Sequence, residues 1–352
     1  MKFRSCALFL FLVLSNGIAS VAQSVNYLTD YHPYINKAES FLIEYDYANA
    51  LVYYDSAFVN VERGFMKDYF NAAVCATYLG EADQTFAYLL KVASKGISLD
   101  FVKGEVAFSS IQQTSKWRDF ELKYLGERRK FKEQLDTTYQ KEINTIVARD
   151  RWFRKKNAET FADTIAIIDL QNAFWLRDLI EEKGFPGEDE IGCGTNGFPV
   201  LQYDFYDVIR RQTPELQAVN FSNQLMTAAR NGKILPHFAA HIMATINGND
   251  VFFARNVYKI LVDETPEFQN LPFGDLLNEW IYVNLDEETE RSINELRLQN
   301  GMETLPDYRK KILFSLDDNK FLLPYRALAR MWYITDPDVA ATHVEGAIRV
   351  EL

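Results

Sequence analysis

The residues best suited to acid–base chemistry lie between positions 150 and 202. Two aspartates, two amides and two arginines form this set: Asp150, Arg151, Arg154, Asp169, Asn172 and Gln202. Asp169 and Asn172 are three residues apart, so they share one face of a helix. One interpretation is a hydrolase-type polar pocket built from Asp150, Asp169, Asn172 and Gln202. The other is a structural ion pair between Asp169 and Arg151 or Arg154, which we favour because buried charges are usually paired.

Two other patterns resemble ligand sites. His237 and His241 are four residues apart on a predicted helix, but the glutamate of a zinc-protease motif and a third ligand are missing. Residues 192–197 (GCGTNG) spell a dinucleotide-binding fingerprint, yet an acidic segment precedes them and Phe198-Pro199 interrupts the helix that should follow. We therefore expect no metal and no cofactor, and a glycine-rich loop that borders a cleft.

The sequence does not indicate a Ser-His-Asp or Cys-His arrangement. The chain has four histidines, and none lies beside Cys193 in the sequence. Of the three cysteines, Cys6 belongs to the leader described below, and Cys75 lies on an apolar helix face. We expect Cys75 and Cys193 to be free thiols, and a binding function rather than catalysis.

Tyrosines are concentrated in the segment 45–54. Tyr45, Tyr47, Tyr53 and Tyr54 lie there, and tyrosine is enriched at protein interfaces. Tyr54 fits packing between helices, whereas Tyr45 and Tyr53 fit either packing or a partner-binding surface.

A pattern with a period of 36 residues predicts how these tyrosines are positioned. Ala38 corresponds to Val74, Ala50 to Phe86, and Ala57 to Ala93. Small residues at this spacing indicate helix-turn-helix repeats, which present a concave surface to partners. We expect one helical pair over 34–63, turning at 45–47, and another over 67–96, turning at 80–83. Ala57 and Ala93 should lie between helices and Lys67 on the solvent face.

Further helices are predicted along the rest of the chain. A charged helix covers 127–157, and another covers 160–183 and is closed by Gly184. Later helices are expected at 200–211, after Thr213-Pro214 and after Pro236. Only 251–253 and 349–352 look like short strands, so the sequence predicts an all-α fold: a short array of tetratricopeptide-like repeats packed on a second, mostly helical domain.

The first 22 residues have the features of a secretory signal peptide. Lys2 and Arg4 precede the apolar run 7–14, and small residues at 20–22 form a cleavage site before Gln23. The run is shorter than the ~20 residues needed to cross a bilayer. We expect export to the periplasm or the extracellular space, with no membrane span after cleavage.

Cleavage at this site leaves an acidic protein. The mature chain would have 36 basic and 49 acidic residues, a formal charge of −13. Nucleic acid and anionic membranes would be repelled, so neither is expected as a partner.

Two family resemblances follow from these residues. The 36-residue pattern resembles tetratricopeptide-type repeats without their usual Trp and Gly. From about Ile143 to the end, the chain is similar to a bacterial domain of unknown function that often follows such repeats in exported proteins. The similar positions are Asp150, Arg154, Asp169, Asn172, residues 184–186, Gly192, Leu201-Gln202, residues 293–297 and Gly301-Met302. Tyr203 stands where that family has His, and residues 241–244 lack its Asp-Arg pair.

These observations predict a signal peptide at 1–22, repeats with a capping segment at 23–126, and a helical domain at 127–352. The function we favour is an exported scaffold or adaptor that binds a protein or peptide partner in the cell envelope. The alternatives are the hydrolase-type enzyme and an envelope component with no small ligand.

Overall fold

The computed structural model describes residues 25–195, 197–215 and 219–350. The predicted signal segment 1–22 and the predicted cleavage site before Gln23 lie outside these residues. In the part described, the chain is mostly helical, as the sequence predicts, but it also contains a small sheet.

Seventeen α-helices are found within the described ranges. They are α1 Tyr27–Asp30, α2 His32–Ile43, α3 Tyr47–Asn60, α4 Met66–Tyr78, α5 Ala82–Ala93, α6 Leu99–Gly104, α7 Trp117–Gln134, α8 Thr137–Asn157, α9 Ala162–Lys183, α10 Glu188–Ile191, α11 Tyr206–Arg210, α12 Ser222–Arg230, α13 Pro236–Ile246, α14 Pro266–Gln269, α15 Glu287–Gln299, α16 Leu305–Asp317 and α17 Pro337–Val344. The strands are β1 Gly194–Thr195, β2 Phe198–Pro199, β3 Val257–Leu261, β4 Trp280–Val283, β5 Arg330–Tyr333 and β6 Ala347–Arg349.

Helices α2 to α5 form two consecutive helical hairpins. In the first turn the Asp46 carboxylate accepts a hydrogen bond from the Asn49 backbone N–H (3.1 Å), which caps α3. The second turn contains Gly80 in the left-handed region, with φ 78°. The alanines predicted at the contacts between helices are fully buried: Ala38, Ala50, Ala57 and Ala93.

Helix α4 is enclosed on all sides. Each of its residues from Met66 to Ala76 is buried. One side packs on α3 and α5, and another faces the C-terminal part of the chain, where Asn71 exchanges two hydrogen bonds with the backbone of Leu322 (2.8 and 3.2 Å). One hydrophobic core runs from Leu28 to Val350, so the hairpins and the C-terminal elements pack together.

The charged segment 127–157 is two helices rather than the single helix that we predicted. α7 ends at Gln134, and the Asp136 carboxylate caps α8 by accepting from the Tyr139 backbone N–H (2.8 Å). The proposed domain boundary at residue 126 falls inside α7. The next helix agrees well with its prediction, because α9 ends at Gly184, which has φ 83°.

A four-stranded sheet adds to the mostly helical fold that we predicted. Its strand order is β5-β3-β4-β6, with β5 parallel to β3 and the other pairs antiparallel. The strand predicted at 251–253 is wrong, since this segment is a turn with Phe253 at φ 49°. Strands of three to five residues are too short for a clear alternating pattern, so the sequence shows them weakly.

Candidate functional site

The predicted polar set forms an ion network between α8, α9 and α11. Asp150, which is buried, accepts from Arg154 (2.9 Å) and from two nitrogens of Arg211 (2.7 and 2.9 Å). Arg154 also donates to Asp169 (2.5 Å). Arg154 therefore joins the two aspartates, whereas Arg151 pairs with Asp204 at the surface (2.7 Å).

The two amides of the set stand apart from these aspartates. Asn172 is fully buried, and its amide nitrogen donates to the Ile146 carbonyl (3.3 Å). The Gln202 amide faces the Arg210 guanidinium, and its oxygen, assigned so that it accepts, lies 2.7 and 2.8 Å from the two nitrogens. Five prominent clefts of the described structure are lined by residues other than Asp150, Asp169, Asn172 and Gln202. Both carboxylates are held by guanidinium groups, so this geometry fits a structural network.

A second polar cluster lies between the helical hairpins and the C-terminal elements. We call it the buried charge cluster, and its members are Glu39, Lys67, Asp68, His237, Arg297, Glu303, Lys311 and Tyr325, all nearly inaccessible to solvent. Glu39 lies at its centre and accepts from Lys67 (2.9 Å), Lys311 (2.9 Å) and the Tyr325 hydroxyl (2.6 Å).

The C-terminal half of the buried charge cluster is organised around Glu303. Both of its carboxylate oxygens lie 3.0 Å from His237 Nε2, and Lys311 is 3.5 Å away. Arg297 Nε donates to the Glu303 backbone carbonyl (2.8 Å), and its guanidinium stacks over Tyr308 at 4.6 Å. Each charge has a partner, which is the condition for keeping charges inside a protein.

The charged neighbours of Glu39 and Glu303 determine whether these two carboxyl groups are protonated. Burial alone would raise the pKa of Glu39, but Lys67 and Lys311 outweigh it and lower the pKa to about 2. Burial likewise acts to raise the pKa of Glu303, and His237 and Lys311 hold it well below the usual range. Both carboxylates are therefore ionised at neutral pH.

Lys67 corrects one of our predictions. We placed it on the solvent face of its helix, whereas it is buried and bound to Glu39 and to Asp68 (2.5 Å). The reason is that the C-terminal chain covers the side of α4 that would face solvent in an isolated hairpin.

The two histidines proposed as weak metal ligands have separate surroundings. His237 contacts Glu303, while His241 lies 3.4 Å from Arg330. Burial and the charge of Arg330 lower the pKa of His241 to about 3. No group of three His, Cys, Asp or Glu side chains in residues 25–195, 197–215 and 219–350 is arranged to hold a metal ion.

The glycine-rich loop does border clefts. Two cavities of about 320 Å³ each share Gln140, Gly192 and Gly194 in their linings. The loop is held by hydrogen bonds from Gln140 to the Ile191 carbonyl (2.8 Å) and from the Tyr203 hydroxyl to the Gly192 carbonyl (2.8 Å). The segment before it is the short helix α10, so the strand that a dinucleotide-binding turn requires is not present there.

Both cysteines of the described chain are buried free thiols. Cys193 donates to the Lys95 carbonyl (3.0 Å), and Cys75 is enclosed within α4. Burial raises the pKa of both thiols, so neither has the character of an activated nucleophile.

The two tyrosines proposed for partner binding differ in exposure. Tyr45 is 60% exposed at the first hairpin turn and contacts Phe314 (ring centroids 5.8 Å apart). Tyr53 is half-buried and stacks on Phe41 at 5.4 Å. Only Tyr45 therefore offers most of its side chain to solvent.

Helix α9 has an exposed apolar surface made of three side chains. Ile167, Leu170 and Phe174 are 57%, 43% and 38% exposed, and their spacing of three and four residues places them on one stripe. The opposite side of the helix packs through Asn172, Ala173 and other buried residues. We call these three exposed side chains the α9 stripe. Our predictions from the sequence did not include this surface.

The buried charge cluster was also missed. Its two lysines look like surface residues in their own helices, and Glu39 and Lys311 are separated by 272 positions. The one available signal is Arg297, which belongs to the segment 293–297 of the proposed family resemblance.

Within the described ranges, no helix is both long and apolar enough to cross a lipid bilayer. No known family model, curated protein or solved structure matches the chain.

Proposed function

We propose that the protein is an exported interaction protein, a scaffold or adaptor that binds another protein of the cell envelope. The observation that carries this proposal is the α9 stripe. Large apolar side chains that share one exposed stripe are typical of sites that bind a partner, whereas single exposed apolar residues are ordinary. Asp150 and Asp169, the two carboxylates of the alternative hydrolase-type site, are both held by guanidinium groups, which favours a structural role for them over hydrolysis.

The helical hairpins have a different role in this proposal. We infer that they are tetratricopeptide-type units whose surface between α2 and α4 binds the protein's own C-terminal part. Asn36 donates to the Gly301 carbonyl (3.0 Å), Glu39 binds Lys311, and Asn71 binds Leu322. A partner would therefore have to bind elsewhere, and α9 offers an apolar surface of the kind that accepts an amphipathic helix.

The test is photo-crosslinking in the native envelope. A photoreactive amino acid at position 167 should give a discrete crosslinked product, and Leu170→Glu in the same probe-bearing chain should abolish capture of that partner without lowering the melting temperature. Leu122→Glu is the matched control, because Leu122 is a 68% exposed leucine on α7. Equal capture by both variants would contradict the proposal.

Export is a separate part of the proposal, and its support is the residue pattern of the leader. Cleavage after Ala22 should leave Gln23 at the N-terminus of the protein recovered from its native envelope. Mass spectrometry of the N-terminal peptide measures this directly, and an intact chain starting at Met1 in the membrane fraction would overturn it.

A further inference from the structure

Strand β5 forms one open edge of the four-stranded sheet. Within the described chain it pairs with β3 alone, matching Arg330 with Tyr258 and Tyr333 with Leu261. The next backbone N–H, that of Ile334, donates to the Leu261 carbonyl (2.9 Å). Successive residues of a strand point their hydrogen-bonding groups to opposite sides. Trp332 therefore bonds toward β3, and the N–H and C=O groups of Met331 and Tyr333 point out of the sheet.

This edge is also apolar. Met331, Trp332 and Tyr333 are 59%, 38% and 61% exposed. From Met331 to Tyr333 no proline, charged residue or bulge interrupts the strand, and such features normally protect an edge from pairing. The opposite edge differs, because β6 ends at Arg349, whose guanidinium donates to the Asp275 carbonyl (2.9 Å).

We propose that β5 pairs with β5 of a second copy of this chain in an antiparallel, two-fold arrangement centred on Trp332. Met331 of one copy then lies opposite Tyr333 of the other. Both residues have outward N–H and C=O groups, so the two symmetric pairs form four backbone hydrogen bonds. The result is a continuous eight-stranded sheet with an isologous interface.

The charges at the two ends of β5 favour this orientation. Arg326 and Arg330 lie at its N-terminal end, and Asp336 and Asp338 follow its C-terminal end. An antiparallel copy brings the basic end of one strand beside the acidic end of the other, whereas a parallel copy brings like charges together. Met331 also meets the Tyr333 ring of the other copy on one face of the sheet, which is a favourable sulfur–aromatic pairing.

The oligomeric state of the mature protein tests the proposal. Sedimentation velocity from nanomolar to high micromolar concentration should show a monomer–dimer equilibrium. Tyr333→Pro removes one outward N–H and leaves the bonds to β3 in place, so it should give a monomer with little loss of melting temperature. Tyr333→Thr is the matched control: it keeps the N–H and should still dimerise. A wild-type protein that is monomeric throughout would overturn the proposal.

A cysteine scan tests the register and does not depend on the proline variant folding. In the two-fold arrangement the two copies of residue 332 form a pair without backbone hydrogen bonds, with Cα atoms ~4.5 Å apart, within reach of a disulfide. Trp332→Cys should therefore give a covalent dimer under mild oxidation. Met331→Cys should not, because position 331 faces 333. Since Cys75 and Cys193 are buried, they do not compete. Equal crosslinking at both positions, or none at 332, would contradict the register.

Discussion

At the residue scale, the contact between Arg154 and Asp169 connects α8 to α9. Asp169 is mostly buried, and its Oδ1 has no hydrogen-bond partner among the described residues. Arg154 keeps a second partner in Asp150, so loss of Asp169 would not leave the guanidinium wholly unpaired. Because of these contacts, a substitution of Asp169 can show whether its carboxylate has a structural or a functional role.

We expect Asp169→Asn to lower the free energy of unfolding by about 1.5–3 kcal/mol, the usual net contribution of a hydrogen bond to a charged group. Thermal and urea denaturation beside wild type measure this. Asp204→Asn is the control, since the Asp204–Arg151 pair is exposed and should contribute less than about 1 kcal/mol. A higher melting temperature for Asp169→Asn would indicate a functional carboxylate kept at a cost to stability.

At the element scale, the two hairpins depend on small residues where helices touch. Ala57 is fully buried on α3, and Val59, two residues later, is 83% exposed. Replacement by leucine can therefore enlarge a buried side chain at position 57 and an exposed side chain at position 59 of the same helix.

Ala57→Leu should push α3 away from its neighbours and reduce the free energy of unfolding by about 1–3 kcal/mol. Val59→Leu should leave stability nearly unchanged. Thermal unfolding followed by circular dichroism measures both variants. Lys67, which we first regarded as an exposed control position, is unsuitable because it is buried. Similar melting temperatures for Ala57→Leu and Val59→Leu would count against tight packing at Ala57.

At the scale of the whole molecule, the buried charge cluster joins the first hairpin to the C-terminal helices. The contribution of this cluster to the free energy of unfolding depends on ionised Glu39. The pKa of Glu39 falls from an ordinary 4.5 to about 2 on folding. A carboxylate with a lowered folded-state pKa stabilises the protein above its unfolded-state pKa. This stability is lost as the pH falls through the folded-state value.

Comparison of wild type with Glu39→Gln as a function of pH isolates this contribution. At neutral pH the variant should be less stable by about 3 kcal/mol, the energy that corresponds to the pKa shift. The difference should shrink as the pH falls from about 4.5 to about 2, because wild-type Glu39 then becomes neutral as well. Urea unfolding at a series of pH values measures it. A difference that does not change with pH would exclude Glu39 as the titrating group.

The sequence by itself determined the features that arise from local contacts. Spacings of three and four residues predicted the hairpin helices, because such residues share one helix face. Gly184 correctly marked the end of α9. Two adjacent helices predicted that Asp169 pairs with Arg151 or Arg154, and the structure shows that the partner is Arg154. The export signal and the family resemblance rest on the sequence alone and stay predictions.

Only the tertiary structure decided which polar residues are buried and which apolar ones are exposed. Lys67 is buried on α4, where Asn71 binds the segment around Leu322, and its charge is balanced by Glu39, which also binds Lys311 of α16. The α9 stripe is exposed because no other part of the described chain packs against it. The strands of the sheet find partners up to 72 residues away, as Tyr333 does in Leu261, and Ile348 pairs with Tyr282 across 66 residues. Such contacts depend on how distant segments meet in space, so the periodic pattern of a single segment does not predict them.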